Sequence, residues 1–264
     1  MQPEPHIDVT FVPLPGAEFS PKNFSQVDRG EITFLPRRYQ ENFEKVTGGT
    51  SLSKGKLWGF CMAGYPFRLD GGAEWQRCRP SPLWEPGKRP ISLAQIDAIN
   101  EADTRATRNF FSHCKQVDLE FFVISLPSSL RDFHPSDNDS DKRTRAFLQN
   151  RSRMSFAAWL KENEIDYIEV PDGLQDEHGF MNPEFMRLVK PNGAKDFNHG
   201  NGKYGSLMME KILNYVRRVN FKHGFAFALS LSMHNCEVWS GFEISRLLQV
   251  SQKLAAPHLR TIQS

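Results

Sequence analysis

Asp196 and His199 are the residues whose types and spacing point most directly to chemistry. They stand three apart in the loop Lys195-Asp-Phe-Asn-His-Gly-Asn-Gly-Lys-Tyr-Gly205. In a tight turn that spacing lets a carboxylate reach Nδ1 of the imidazole. Nε2 is then left free to act as a general base. A polar turn whose Asp or Asn caps the next helix would have the same composition. The loop also holds Gly200-Asn-Gly202-Lys203. A phosphate-binding loop needs G-x-x-x-x-G-K-[ST] after the first strand. Here Tyr204 follows the lysine, late in the chain, so the glycines are expected to permit a tight approach to the helix.

Other clusters offer less. Asp137-Asn-Asp-Ser-Asp141 opens like a calcium loop, but its sixth and twelfth positions are Lys142 and Leu148 instead of Gly and Glu. It is expected to be a solvated loop leading into a helix. His134 and His178 have no partner at ligand spacing. Cys61, Cys78, Cys114 and Cys236 form no C-x-x-C pair, and His234 with Cys236 lacks a second pair at zinc-ligand spacing. These thiols are expected to be packing residues, as in a cytoplasmic, reducing compartment. Arg37-Arg38-Tyr39, and Arg217-Arg218 with Lys222, are expected to be solvated basic faces.

The elements that must position these residues alternate between strand and helix. Residues 7–12 are rich in β-branched side chains and stop at Pro13. Residues 57–63, 119–126 and 165–170 are short apolar runs that end at Gly64, Pro127 and Pro171, as buried strands do. A helix opens at Ser92 with Gln95 in a capping-box pattern. A second helix is predicted over about 143–162 and a third over 204–218, each with an apolar face near helical period. Residues 17–56 show no period, and 64–90 read as a long loop. This order predicts an α/β protein with parallel strands and helical crossovers, its chemistry beyond the carboxyl ends of the strands. The loops at that edge are 13–22, 64–90, 127–142 and 171–203. Residues 221–264 are a tail that pattern alone does not connect to the rest. Within it Phe225, Phe227, Leu229 and Leu231 alternate like a half-buried strand, and residues 242–254 could line a short helix.

Composition narrows the field. The 264 residues carry 33 Lys+Arg against 31 Asp+Glu, a net charge of +2, which gives no push toward nucleic acid or anionic membranes. With 39% hydrophobic and 24% charged residues, the chain has the make-up of an ordinary globular protein. The longest nearly apolar stretch, residues 225–231, falls far short of the ~20 residues that span a bilayer. No basic patch followed by an apolar run marks a signal peptide.

Asp196-Phe-Asn-His199 before an amphipathic helix, with the strand Ile-Asp-Tyr-Ile-Glu-Val ahead of it and another strand ending at Pro127, resembles the SGNH (GDSL-type) hydrolases over roughly residues 5–220. The resemblance implies a flavodoxin-like three-layer α/β/α fold with a mostly parallel sheet, followed by the 221–264 tail. It implies ester hydrolysis of a small ester or acylated carbohydrate, without metal or organic cofactor. His199 would be the base and Asp196 its orienting carboxylate. Gly16 and Gly64 are the nearest matches to the family's oxyanion positions, although the Asn of its third block is absent: the chain reads Gly64-Tyr65-Pro66. The family's Ser nucleophile follows its first strand, and no such block precedes residue 7. The domain therefore reads as lacking its first strand and nucleophile. Ser20, Ser128 and Ser129 are the alternatives for a hydroxyl near His199, and a non-catalytic α/β binding protein is the rival reading. In the order 2-1-3-4-5 the absent strand would be central. Either strand 7–12 closes directly onto strand 57–63, or residues 225–231 fill the slot between them. The alternating small residues of 225–231 suit one covered face, so direct closure in a four-stranded sheet is expected, with the tail packed outside.

Overall fold

Every residue of β4 (Leu57–Cys61) is buried, as a strand covered by helices on both faces must be. Its side chains alternate between two cores, and that alternation sets the layers of the computed structural model. The structure describes residues 8–14, 23–52, 54–61, 75, 77–132, 137–189, 193, 199–223 and 228–234. Trp58 and Phe60 of β4, with Val123 of β7 (Glu120–Ile124), pack on Tyr39 and Phe43 of α1 (Arg37–Thr47), Phe110 and Phe111 of α2 (Leu93–Gln116), and Phe156 and Leu160 of α3 (Asp139–Glu162). Phe60 and Phe110 meet edge to face with centroids 4.9 Å apart. The opposite core joins Leu57, Cys61, Phe122, Ile124 and, from β8 (Asp166–Ile168), Ile168 to Tyr204, Met208, Ile212 and Val216 of α4 (Gly202–His223). The result is a three-layer α/β/α arrangement. Among the described residues, α1, α2 and α3 lie on one face and α4 on the other.

Among the described residues the sheet has five strands, all parallel, in the order β1-β9-β4-β7-β8, where β1 is Asp8–Leu14 and β9 is Ala228–His234. This corrects the expected closure. β9 is paired with β1 from Asp8↔Ala228 to Leu14↔His234 and with β4 from Leu57↔Leu229 to Cys61↔Met233. The segment beyond residue 220 thus supplies an interior strand, between β1 and β4, instead of packing outside the sheet. The physical reason is the ladder. A strand in that slot satisfies two rows of backbone groups at once, whereas a buried unpaired group costs ~1–3 kcal/mol.

Three local features were not legible from period. Residues 25–34 form a hairpin of β2 (Ser25–Asp28) and β3 (Glu31–Phe34), turned by Arg29 and Gly30, both at positive φ. Within the expected 64–90 loop, β5 (Cys78–Pro80) and β6 (Arg89–Ile91) pair in parallel. Lastly, α3 starts four residues before the expected 143, because Asn138 and Asp141 form a reciprocal capping box. The predicted Ser92–Gln95 box at the start of α2 is present as well.

Candidate functional site

All five strands point the same way, so the segments leaving their carboxyl ends share one edge of the sheet. The chain between β8 and α4 leaves the carboxyl end of β8 and carries His199 to the mouth of α4. Its local geometry is tightly specified. The Arg187 N–H donates to the His199 carbonyl at 2.8 Å, Gly200 bridges Met186 antiparallel, and the Asn201 N–H donates to the Phe185 carbonyl at 2.8 Å. Asn201 also caps the helix, its Oδ1 accepting from the N–H of Lys203 at 2.9 Å and of Tyr204 at 3.3 Å. An Asn does cap the helix, then, and the His sits two residues before it. Asp196, Gly16, Gly64, Ser20 and His134 lie outside the described residues, and with them the expected carboxylate–imidazole contact.

The two alternative hydroxyls are committed elsewhere. Ser128 and Ser129 are each 1% exposed, in the segment leaving β7. The Ser128 hydroxyl accepts from the Gln175 amide, and the Ser129 hydroxyl from Gln149 Nε2 at 2.5 Å. His178 sits in a turn organised by Asp176, whose Oδ1 accepts from the N–H of His178 at 2.9 Å and of Phe180 at 3.0 Å. The acidic run 137–141 is likewise occupied. Asp137 pairs with buried Arg145, and Asp141 Oδ1 lies 2.6 Å from Arg79 Nη2. Arg79, 1% exposed, also meets Glu85 at 3.0 Å. With these carboxylates paired to arginines and Asn138 capping α3, the run serves as a helix start. Among the described residues, no group of three or more His, Cys, Asp or Glu is placed to hold a metal ion.

One polar cluster at the same edge escaped the sequence reading. Arg153 Nη1 donates to Ser125 Oγ and to the Leu126 carbonyl, both at 2.9 Å, just past the end of β7. The Tyr167 phenol of β8 is hydrogen-bonded to Ser125, and burial pushes its pKa up, against the opposing charge of Arg153. Its members come from a helix, a strand and a loop, so no local spacing announces them. A cleft of about 990 Å³ lies instead along the outer edge of β8 between α3 and α4. There the Tyr215 hydroxyl donates to Asp166 at 2.6 Å. Burial first, and then the Asp166 carboxylate, push the Tyr215 pKa well up. His199 does not line it.

No helix among the described residues is long and apolar enough to cross a membrane. No protein-family model matches the sequence, and no curated protein matches it. Solved structures resemble it, two of them as follows. One is a GDSL-like lipase from Bacteroides thetaiotaomicron VPI-5482, at 17% identity and a TM-score of 0.30 over 49% of this chain. The chain spans 60% of that lipase's length. The other is a proposed acylhydrolase from Bacteroides fragilis NCTC 9343, at 13% identity and a TM-score of 0.38, covering 74% of this chain and 99% of that one. The chain thus resembles GDSL-like lipase and acylhydrolase structures at low identity.

Proposed function

We propose that this chain hydrolyses small esters or acylated carbohydrates at the carboxyl edge of its sheet. His199 acts as the base, Asp196 orients it, and the nucleophile comes from just beyond β9. One observation carries this reading: β9 fills the interior slot between β1 and β4, where the family's first strand would lie, and its carboxyl end lies on the same edge as the His199 loop. In the family that Asp196-x-x-His199 resembles, the nucleophile directly follows the central strand. The first nucleophilic side chain beyond β9 is Cys236, two residues past His234. Its thiol would give its proton to His199 as the sulfur attacks the ester carbonyl. His199 would then pass that proton to the departing alkoxide, and water would cleave the thioester. The apparent loss of a nucleophile block then becomes a change of chain order. No organic cofactor or metal enters these steps.

The test is hydrolysis of 4-nitrophenyl acetate by the full chain. His199→Ala and Cys236→Ala should each lower kcat/KM by about 10³-fold or more, as removal of one member of a catalytic unit does. Cys236→Ser should retain part of the rate. Equal turnover by all variants would remove both assignments, and an inert parent chain would favour the binding protein.

A further inference from the structure

Asn201 makes more hydrogen bonds than a helix cap needs. A cap uses one acceptor, and Ser, Thr or Asp supplies it as well as Asn. Here the Oδ1 half of the amide accepts the Lys203 and Tyr204 N–H groups. The Nδ2 half donates the opposite way, to the Glu184 carbonyl at 2.7 Å and the Met186 carbonyl at 3.3 Å. Its own N–H and carbonyl are used too, by Phe185 and Gly205. One side chain therefore joins the first turn of α4 to the segment 184–186, which runs antiparallel to residues 199–201. His199 lies between these anchors: its carbonyl is held by the Arg187 N–H, its neighbour Gly200 bridges Met186, and Asn201 follows.

We propose that Asn201 is the positioning residue of the site, fixing the backbone of His199 against α4 through both halves of its amide. The inference rests on His199 being the base. Only an amide does both tasks, because it carries a donor pair and an acceptor on one rigid plane. A carboxylate at 201 still caps, favoured by the positive end of the helix dipole. It turns an anion, however, toward two carbonyl oxygens. A serine still caps and reaches neither carbonyl.

Asn201→Asp and Asn201→Ser separate capping from positioning. Both variants should melt within a few degrees of the parent, since each keeps the cap. In both, the His199 imidazole resonances and their pH titration, read by NMR of 15N-histidine-labelled protein, should move. On 4-nitrophenyl acetate kcat should fall by about 10- to 100-fold with KM unchanged, the expected result of misplacing a reacting group by ~1 Å. A folded variant whose His199 resonances titrate as in the parent overturns the proposal. Should both variants fail to fold, hydrogen exchange in the parent decides it. The Arg187 and Asn201 amides are expected to be as protected as the first bonded amides of α4, and free exchange there overturns the clamp. An inert parent chain would sink the hydrolase reading, while the NMR and exchange results would still judge Asn201.

Discussion

Gly200 shows how little slack the His199 loop has. Its φ is not left-handed, so its missing side chain is a matter of space. A Cβ there would lie 2.3 Å from Tyr204 Cδ1 and 2.6 Å from Cγ, closer than real contacts allow. The Tyr204 ring is itself buried, in the core under α4. Gly200→Ala should therefore cost about 1–3 kcal/mol through overpacking, read as a lower midpoint in urea with an unchanged slope. An unshifted midpoint would mean that the ring yields. Tyr167 gives a residue-scale expectation of a different kind. Burial raises its pKa above that of an unfolded tyrosine. The folded chain thus holds its proton at pH values where the unfolded chain has released it. The stability from this group is complete below about pH 10 and is lost as the pH rises from there through the folded pKa. Across that alkaline window the folding equilibrium should fall by up to about tenfold per pH unit for this one proton. Tyr167→Phe should remove that part of the slope; a profile identical to the parent's would show that Tyr167 is not its source.

The elements were legible where a signal is local. The Ser92–Gln95 box, the apolar face of α4 and the buried runs of β4, β7 and β8 all lie within a few residues of one another, and period or capping chemistry reads them directly. The first turn of α3 was missed because its acidic residues look like loop, although acids at a helix start complement the dipole. Asn138 accepts the Asp141 N–H at 2.9 Å, so Asn138→Ala should destabilise the chain by about 1 kcal/mol. Thermal melts would register this, and no change would show that the ion pairs Arg79–Asp141 and Arg145–Asp137 hold the turn alone. In the site, the D-x-x-H spacing pointed to the loop at the mouth of α4, because three residues of separation is a local fact. The Ser125–Arg153–Tyr167 cluster was invisible for the opposite reason: its members are 28 and 14 positions apart and meet only through the sheet.

At the scale of the whole molecule, the decisive contact is the least local one. β1 and β9 are separated by more than 200 positions, yet they pair over seven residues, and β9 pairs with β4 over five more. Closing so long a loop costs only a logarithmic entropy term, about 0.6 kcal/mol for each doubling of length. Leaving the slot empty would strand two rows of backbone groups between β1 and β4. Alternation in residues 225–231 suggested a strand with one covered face, which favoured direct closure of β1 onto β4 over the insertion that the structure shows. A chain ending at His223 tests the arrangement. It keeps α4 and the other described helices but lacks β9. Either β1 and β4 close up, which would shift the helices that cross over them, or the gap stays open. The truncated chain is expected to lose its cooperative thermal transition and to leave the amides of β4 open to exchange. A truncated chain that melted as sharply and at the same temperature as the parent would show that β1 and β4 pair directly when β9 is gone. In that case the strand sequence 228–234 would not be needed for the fold, and the place of the nucleophile beyond it would have to be sought elsewhere on the same edge.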